Sequence, residues 1–164
     1  MSVGYYVLVA IHVLAALLWL GGMLFLGVVG APVLRAIEPP ALRQRLFTEL
    51  GRRFRTVGWV AVATLVTTGV LMLRARGLLH WSVVGSADFW RTTFGTTLAL
   101  KLTAVTTMVI VSAVHDFLHG PAAGRAAPGS PTAIALRRRA SLLARANALV
   151  GILLVLAAVR LARS

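Results

Sequence analysis

A chain of 164 residues that is 59% hydrophobic and 13% charged cannot cover a soluble domain with polar groups, so its solvent is lipid. The net charge of +13 would suggest nucleic acid in a soluble protein. Here the arginines cluster between long uncharged runs, which excludes a nucleic-acid partner and suits anionic lipid headgroups. Cysteine is absent, which removes disulfides, iron–sulfur clusters, thiolate metal sites and cysteine nucleophiles, and leaves histidine to carry any metal chemistry.

The first span runs from Tyr5 to about Val29 without a charge, longer than the roughly 20 apolar residues that cross a hydrocarbon core. It has no basic n-region and is too long for a signal-peptide core, so it is expected to stay in the protein as a span. Pro32 and the Pro39-Pro40 pair are expected to break it, and Ala41 to Arg55 reads as a short basic amphipathic helix on the membrane surface. The second span, about residues 57–73, is flanked by Arg53, Arg55, Arg74 and Arg76, whose stems reach the headgroups. A connection with His80, Trp81 and Trp90 has the aromatic character of a headgroup boundary.

The third span covers about residues 93–119 with one charge, Lys101, and Gly120-Pro121 is expected to end it. Ala122 to Thr132 reads as a flexible loop, and after Arg137, Arg138 and Arg139 the fourth span covers about residues 141–161. With no repeat and no soluble domain, the whole chain, residues 1–164, reads as one all-α, up-and-down four-helix membrane bundle. The connection between spans 1 and 2 and that between spans 3 and 4 hold most of the arginines. The positive-inside rule then puts both chain ends outside the cytoplasm of a bacterial-type inner membrane.

His12, Ala16, Trp19 and Met23 follow one another at helical spacings of four, three and four, a stripe facing the bundle beside Gly21 and Gly22. Lys101, Met108, Ser112, His115 and His119 form a second stripe on the third span. By rise per residue His12 and Lys101 share a level about 10 Å below the outer boundary, and His115 and His119 lie roughly 20 Å deeper. His80 is the other histidine able to fold to the level of His12.

Lys101 either snorkels outward or takes a functional role, and His115 and His119 are either interfacial residues against the helix dipole or, with Asp116 beside them, an i, i+4 metal pair. His12 differs from these: a histidine deep in the first span with no acidic partner at its depth marks a cofactor or an ion pathway. Haem b suits such a bundle, with His12 as axial ligand, His80 or Lys101 beside it and boundary arginines for the propionates. Met23 and Met108 are either core filler or thioether ligands for Cu(I). No catalytic triad, phosphate loop or carboxylate pair is present.

Ala10-Ile11-His12-Val13-Leu14 through Trp19-Leu20-Gly21-Gly22, Gly51-Arg52-Arg53-Phe54, Leu100-Lys101-Leu102 and His115-Asp116-Phe117-Leu118-His119-Gly120-Pro121 together resemble the CopD-like copper-resistance membrane proteins. The order of a first-span histidine and tryptophan, then a third-span lysine and histidine, is also similar to the HemJ family of protoporphyrinogen oxidases. The HemJ resemblance implies haem b with His12 and Lys101 essential; the CopD resemblance implies copper handling. Leu26 to Arg35 contains Pro32 and Arg35 but lacks the histidine of the HemJ pattern, which directs the expectation to a CopD-like protein.

The resulting expectation is a membrane haem b redox protein, an electron-transfer or oxidoreductase component meeting a quinone or other redox partner, with His12, Trp19, His80 and Lys101 around the cofactor. Two alternatives stand beside it: a copper transport or resistance protein using His12, Met23, Met108, His115 and His119 as stepping stones across the bundle, with the histidines as metal ligands, and a HemJ-like protoporphyrinogen oxidase. A homo-oligomer of such bundles is compatible with each.

Overall fold

The computed structural model describes residues 3–163. Four long helices, α1 (Val3–Arg35), α2 (Pro40–Ala75), α5 (Thr93–Arg125) and α6 (Pro131–Arg163), make an antiparallel bundle, with two short helices, α3 (Trp81–Val84) and α4 (Ala87–Arg91), on the connection between α2 and α5. Each long helix contains a window apolar enough to cross a membrane. Leu14, Leu17, Val28, Leu100, Ile110 and Leu149 stand well exposed on the outer faces, where a bilayer and not water is the compatible surroundings.

The chain termini and the α2–α5 connection share one end of the bundle, here the terminal end. The α1–α2 and α5–α6 connections share the other, the arginine-rich end. At about 1.5 Å per residue each long helix is roughly 50 Å long against a hydrocarbon core of about 30 Å, so the helices project well beyond the lipid.

That projection corrects three boundaries expected from the sequence. Ala41–Arg55 is helical, but it is the first half of the 36-residue α2 and not a separate surface helix. Nothing between Arg55 and Val57 interrupts the backbone bonding. Glu49, paired with Arg52 at 2.9 Å and Arg53 at 2.7 Å, supports this segment along its own axis. Gln44 anchors it sideways, donating to the carbonyls of Gly124 at 3.0 Å and Ala126 at 2.8 Å, so the last orphan carbonyls of α5 are satisfied by a side chain of α2.

The other two corrections concern proline. Pro32 and Gly120-Pro121 were expected to end their helices, yet α1 and α5 continue to Arg35 and Arg125. In both, a π-helical stretch comes first, Leu26–Gly30 in α1 and Val114–His119 in α5, and the proline is the second residue of the α-helical turn that follows. The wider π turn relieves the clash and the missing donor that proline imposes on a regular helix. The loop expected over Ala122–Thr132 contracts to residues 126–130, closed by Gly129 at φ +77° and by Ser130, whose hydroxyl accepts from the Ala133 N–H at 3.1 Å. Arg137, Arg138 and Arg139 therefore lie within α6.

At the terminal end α2 stops in a Schellman turn: Leu78 N–H bonds the Leu73 carbonyl at 3.0 Å and Gly77 N–H the Arg74 carbonyl at 2.9 Å, with Gly77 at φ +70°. Thr92 caps α5 by accepting from Gly95 N–H at 3.0 Å.

In lipid the hydrophobic effect does not press helices together, so contact depends on close van der Waals approach over small residues. Trp19 of α1, 6% exposed, supplies that contact: its indole lies against Gly58 of α2 and Gly151 of α6, with Ala61 and Met108 completing the core cluster. Phe54 of α2 lies over Gly22, while Gly21 faces open space.

Candidate functional site

His12 sits partly buried on α1 facing α2, where its Nδ1 is 2.8 Å from the Thr68 hydroxyl. Thr68 is itself 5% exposed and donates its one hydroxyl proton to the Thr64 carbonyl at 2.7 Å. With the hydroxyl proton on that carbonyl, the hydroxyl accepts from the ring; this assignment puts the His12 proton on Nδ1 and leaves the lone pair on Nε2. Gly69 of α2 also faces the ring: a methyl added there would stand 3.7 Å from Cε1, an ordinary contact. A fixed ring with a free lone pair is the arrangement that a metal-binding histidine needs.

Lys101, the single lysine of the chain, is partly buried on α5 within electrostatic reach of His12, and Arg76 at the end of α2 is within reach of Lys101. Among the described residues no carboxylate pairs with Lys101. Arg76 donates to the Tyr5 hydroxyl at 2.8 Å and lies over the rings of Tyr5 and Phe94 at 5.6 and 6.0 Å, which joins α1, α2 and α5 at this end. The two residues expected at equal depth, His12 and Lys101, thus influence one another electrostatically, and Arg76 influences Lys101.

The remaining predicted residues are distributed elsewhere. His80 is exposed just before α3. Trp19 belongs to the packing core, two helical turns from His12. His115 and His119 lie on the π stretch of α5, and His115 is held differently from His12. Its Nδ1 donates to Asp116 Oδ1 at 2.8 Å, and Asp116 Oδ2 accepts from Trp59 Nε1 of α2 at 3.0 Å. The Trp59 ring packs on Phe117 at 5.7 Å, and Arg55 lies over the same Phe117 at 5.8 Å. Here too Nε2 is left free. Among the described residues no three of His, Asp and Glu converge on a point that would hold a metal ion.

Three contributors were not singled out in the sequence. Thr68 is one of many threonines in apolar helix, most of which bond their own backbone, so nothing local marks it. Trp59 reads as an ordinary interfacial aromatic. Asn147 was detectable: it is the single asparagine of the chain and lies within the fourth apolar span, where an amide needs a partner.

A family model described as copper resistance protein D matches residues 48–161. The match begins within α2 and runs through α6, so Thr68, Lys101, His115 and Asn147 lie inside it while His12, Trp19 and Met23 precede it. An uncharacterized protein of Aquifex aeolicus (strain VF5) is 30% identical over 110 residues, covering 67% of this chain and 66% of the relative, so the matched stretch spans about two thirds of that protein. No solved structure matches the chain. With the family model matching well over half of its residues, this multi-pass membrane protein belongs to the copper resistance protein D family.

Proposed function

We propose that this protein handles copper within the membrane, binding the ion at His12 Nε2 near the terminal end and releasing it toward His115 and His119 at the arginine-rich end. The observation that supports this reading is the His12–Thr68 contact at 2.8 Å, which holds the ring by Nδ1 and leaves Nε2 for a ligand, inside a family described by copper resistance. The arginine-rich end, with Arg43, Arg45, Arg52 and Arg53 beside Arg137 to Arg139, faces the cytoplasm of a bacterial-type inner membrane, and both chain ends lie on the opposite side.

Metal analysis of the detergent-solubilised protein tests the proposal. Wild type should retain copper through size exclusion, His12→Ala should lose most of it, and a strain lacking the protein should change its copper tolerance. Copper retained equally by His12→Ala would remove His12 from the pathway.

A second reading is haem b with His12 as axial ligand in a redox protein, in which Lys101 and Arg76 would supply the cations for its propionates. An absorption spectrum separates the two readings: a Soret band lost in His12→Ala supports haem, and bound copper without that band supports the first reading.

A further inference from the structure

Between the two anchored histidines the bundle encloses a polar side chain that its packing leaves half satisfied. Asn147 of α6 is 4% exposed. Its Nδ2 donates to Ser112 Oγ of α5 at 2.8 Å and approaches Met23 Sδ of α1 at 3.9 Å, while its Oδ1 is buried with no hydrogen-bond partner. An orphaned buried amide oxygen costs about 1–3 kcal/mol, and a hydrocarbon interior supplies no water to relieve it.

Two methionines lie close to this amide along the bundle. Met108, one turn before Ser112 on α5, is 7% exposed, and Met23 packs against the cluster that Met108 forms with Trp19 and Ala61. Three helices thus bring two thioethers and an unpaired carbonyl oxygen to one level. Along α5, Met108 lies seven residues from Lys101 and seven from His115, about 10 Å from the level of each. Thioethers are soft ligands that select Cu(I) over hard divalent ions, and no carboxylate is among the groups named here to favour the latter.

We infer that Met23, Met108 and Asn147 Oδ1 form an intermediate resting site for Cu(I) inside the membrane. The inference rests on the copper reading and deepens it: the ion arrives at His12, pauses on sulfur and continues toward His115, remaining Cu(I) throughout with no electron transferred. A lone water would satisfy Oδ1 but would leave the thioethers unused.

X-ray absorption at the copper edge, on full-length protein in detergent loaded with equimolar Cu(I) under anaerobic reducing conditions, tests the site. Wild type should show a sulfur shell. The double variant Met23→Leu/Met108→Leu, nearly isosteric and expected to fold with unchanged circular dichroism, should lose that shell and bind Cu(I) at least tenfold more weakly. Asn147→Leu should keep sulfur but bind several-fold more weakly. A wild-type shell of nitrogen and oxygen alone, a sulfur shell that survives in the double variant, or Asn147→Leu binding as tightly as wild type overturns this site while leaving copper at His12 intact. A wild-type protein that binds no Cu(I) overturns both.

Discussion

The two ends of the bundle hold a histidine in the same way with different acceptors. At the terminal end His12 donates to a hydroxyl whose own proton is committed to a backbone carbonyl; at the arginine-rich end His115 donates to a carboxylate that also accepts from Trp59. A committed hydroxyl accepts one bond and adds no charge, so near His12 the unbalanced charges are Lys101 and Arg76. A carboxylate adds a negative charge beside His115, at the end where arginines are most numerous. The terminal end thus surrounds its histidine with a neutral partner and two cations, and the other end places a carboxylate among its arginines. An ion moving along the bundle would meet repulsion from Lys101 at one end and attraction to Asp116 at the other.

Removing the hydroxyl should produce the largest effect. Thr68→Val keeps the shape of the side chain but removes the hydroxyl beside His12 Nδ1, so the ring is held less firmly. Groups that orient a metal-binding histidine contribute about 10–100-fold to affinity, and copper binding at His12 should weaken by that factor, measured by competition with a chelator of known affinity. Thr68→Ser should stay within a few-fold of wild type. Equal binding by Thr68→Val would show that some other contact orients the ring.

The contrast between the ends also shows which features the sequence carried. Span number and bundle class follow from apolar run length and helical rise, which are local properties. The acceptors of the two rings differ in legibility. Asp116 is adjacent to His115 in sequence, whereas Thr68 is 56 residues from His12 and meets it only because α1 and α2 pack with Trp19 against Gly58. Proline misled for a physical reason: the rule that it ends a helix assumes regular α-helical bonding, and both Pro32 and Pro121 follow a π stretch that removes the conflict. The surface helix failed as a separate element because a basic amphipathic pattern describes equally a helix lying on a membrane and one projecting from it.

At the arginine-rich end the matching change is Asp116→Asn, which keeps an oxygen for one neighbour and replaces the other acceptor with a donor. The amide oxygen can accept from Trp59, but its NH2 then meets His115 Nδ1 and keeps that contact only if the ring moves its proton to Nε2, and the charge of the carboxylate is lost, so the link between α2 and α5 weakens. The side chains of His115 and Asp116 are 33% and 22% exposed, which limits the loss to about 1–2 kcal/mol, read as a lower unfolding temperature in detergent. Copper affinity at His12, roughly 20 Å away along α5 from Lys101 to His115, should not change. A drop in that affinity would mean that the two ends are coupled through the bundle and do not act separately.

The smallest expected effect isolates one hydrogen bond of that link. Trp59→Phe removes the indole N–H that Asp116 Oδ2 accepts while keeping an aromatic ring against Phe117. The carboxylate retains its bond to His115 and its position near Arg55, so the cost should be about 1 kcal/mol, less than that of Asp116→Asn. If Trp59→Phe destabilised the protein as much as Asp116→Asn, the indole and not the histidine would be the main partner of the carboxylate. His115 would then be free to leave Asp116 for a passing ion, and the two ends would differ in mobility as well as in charge.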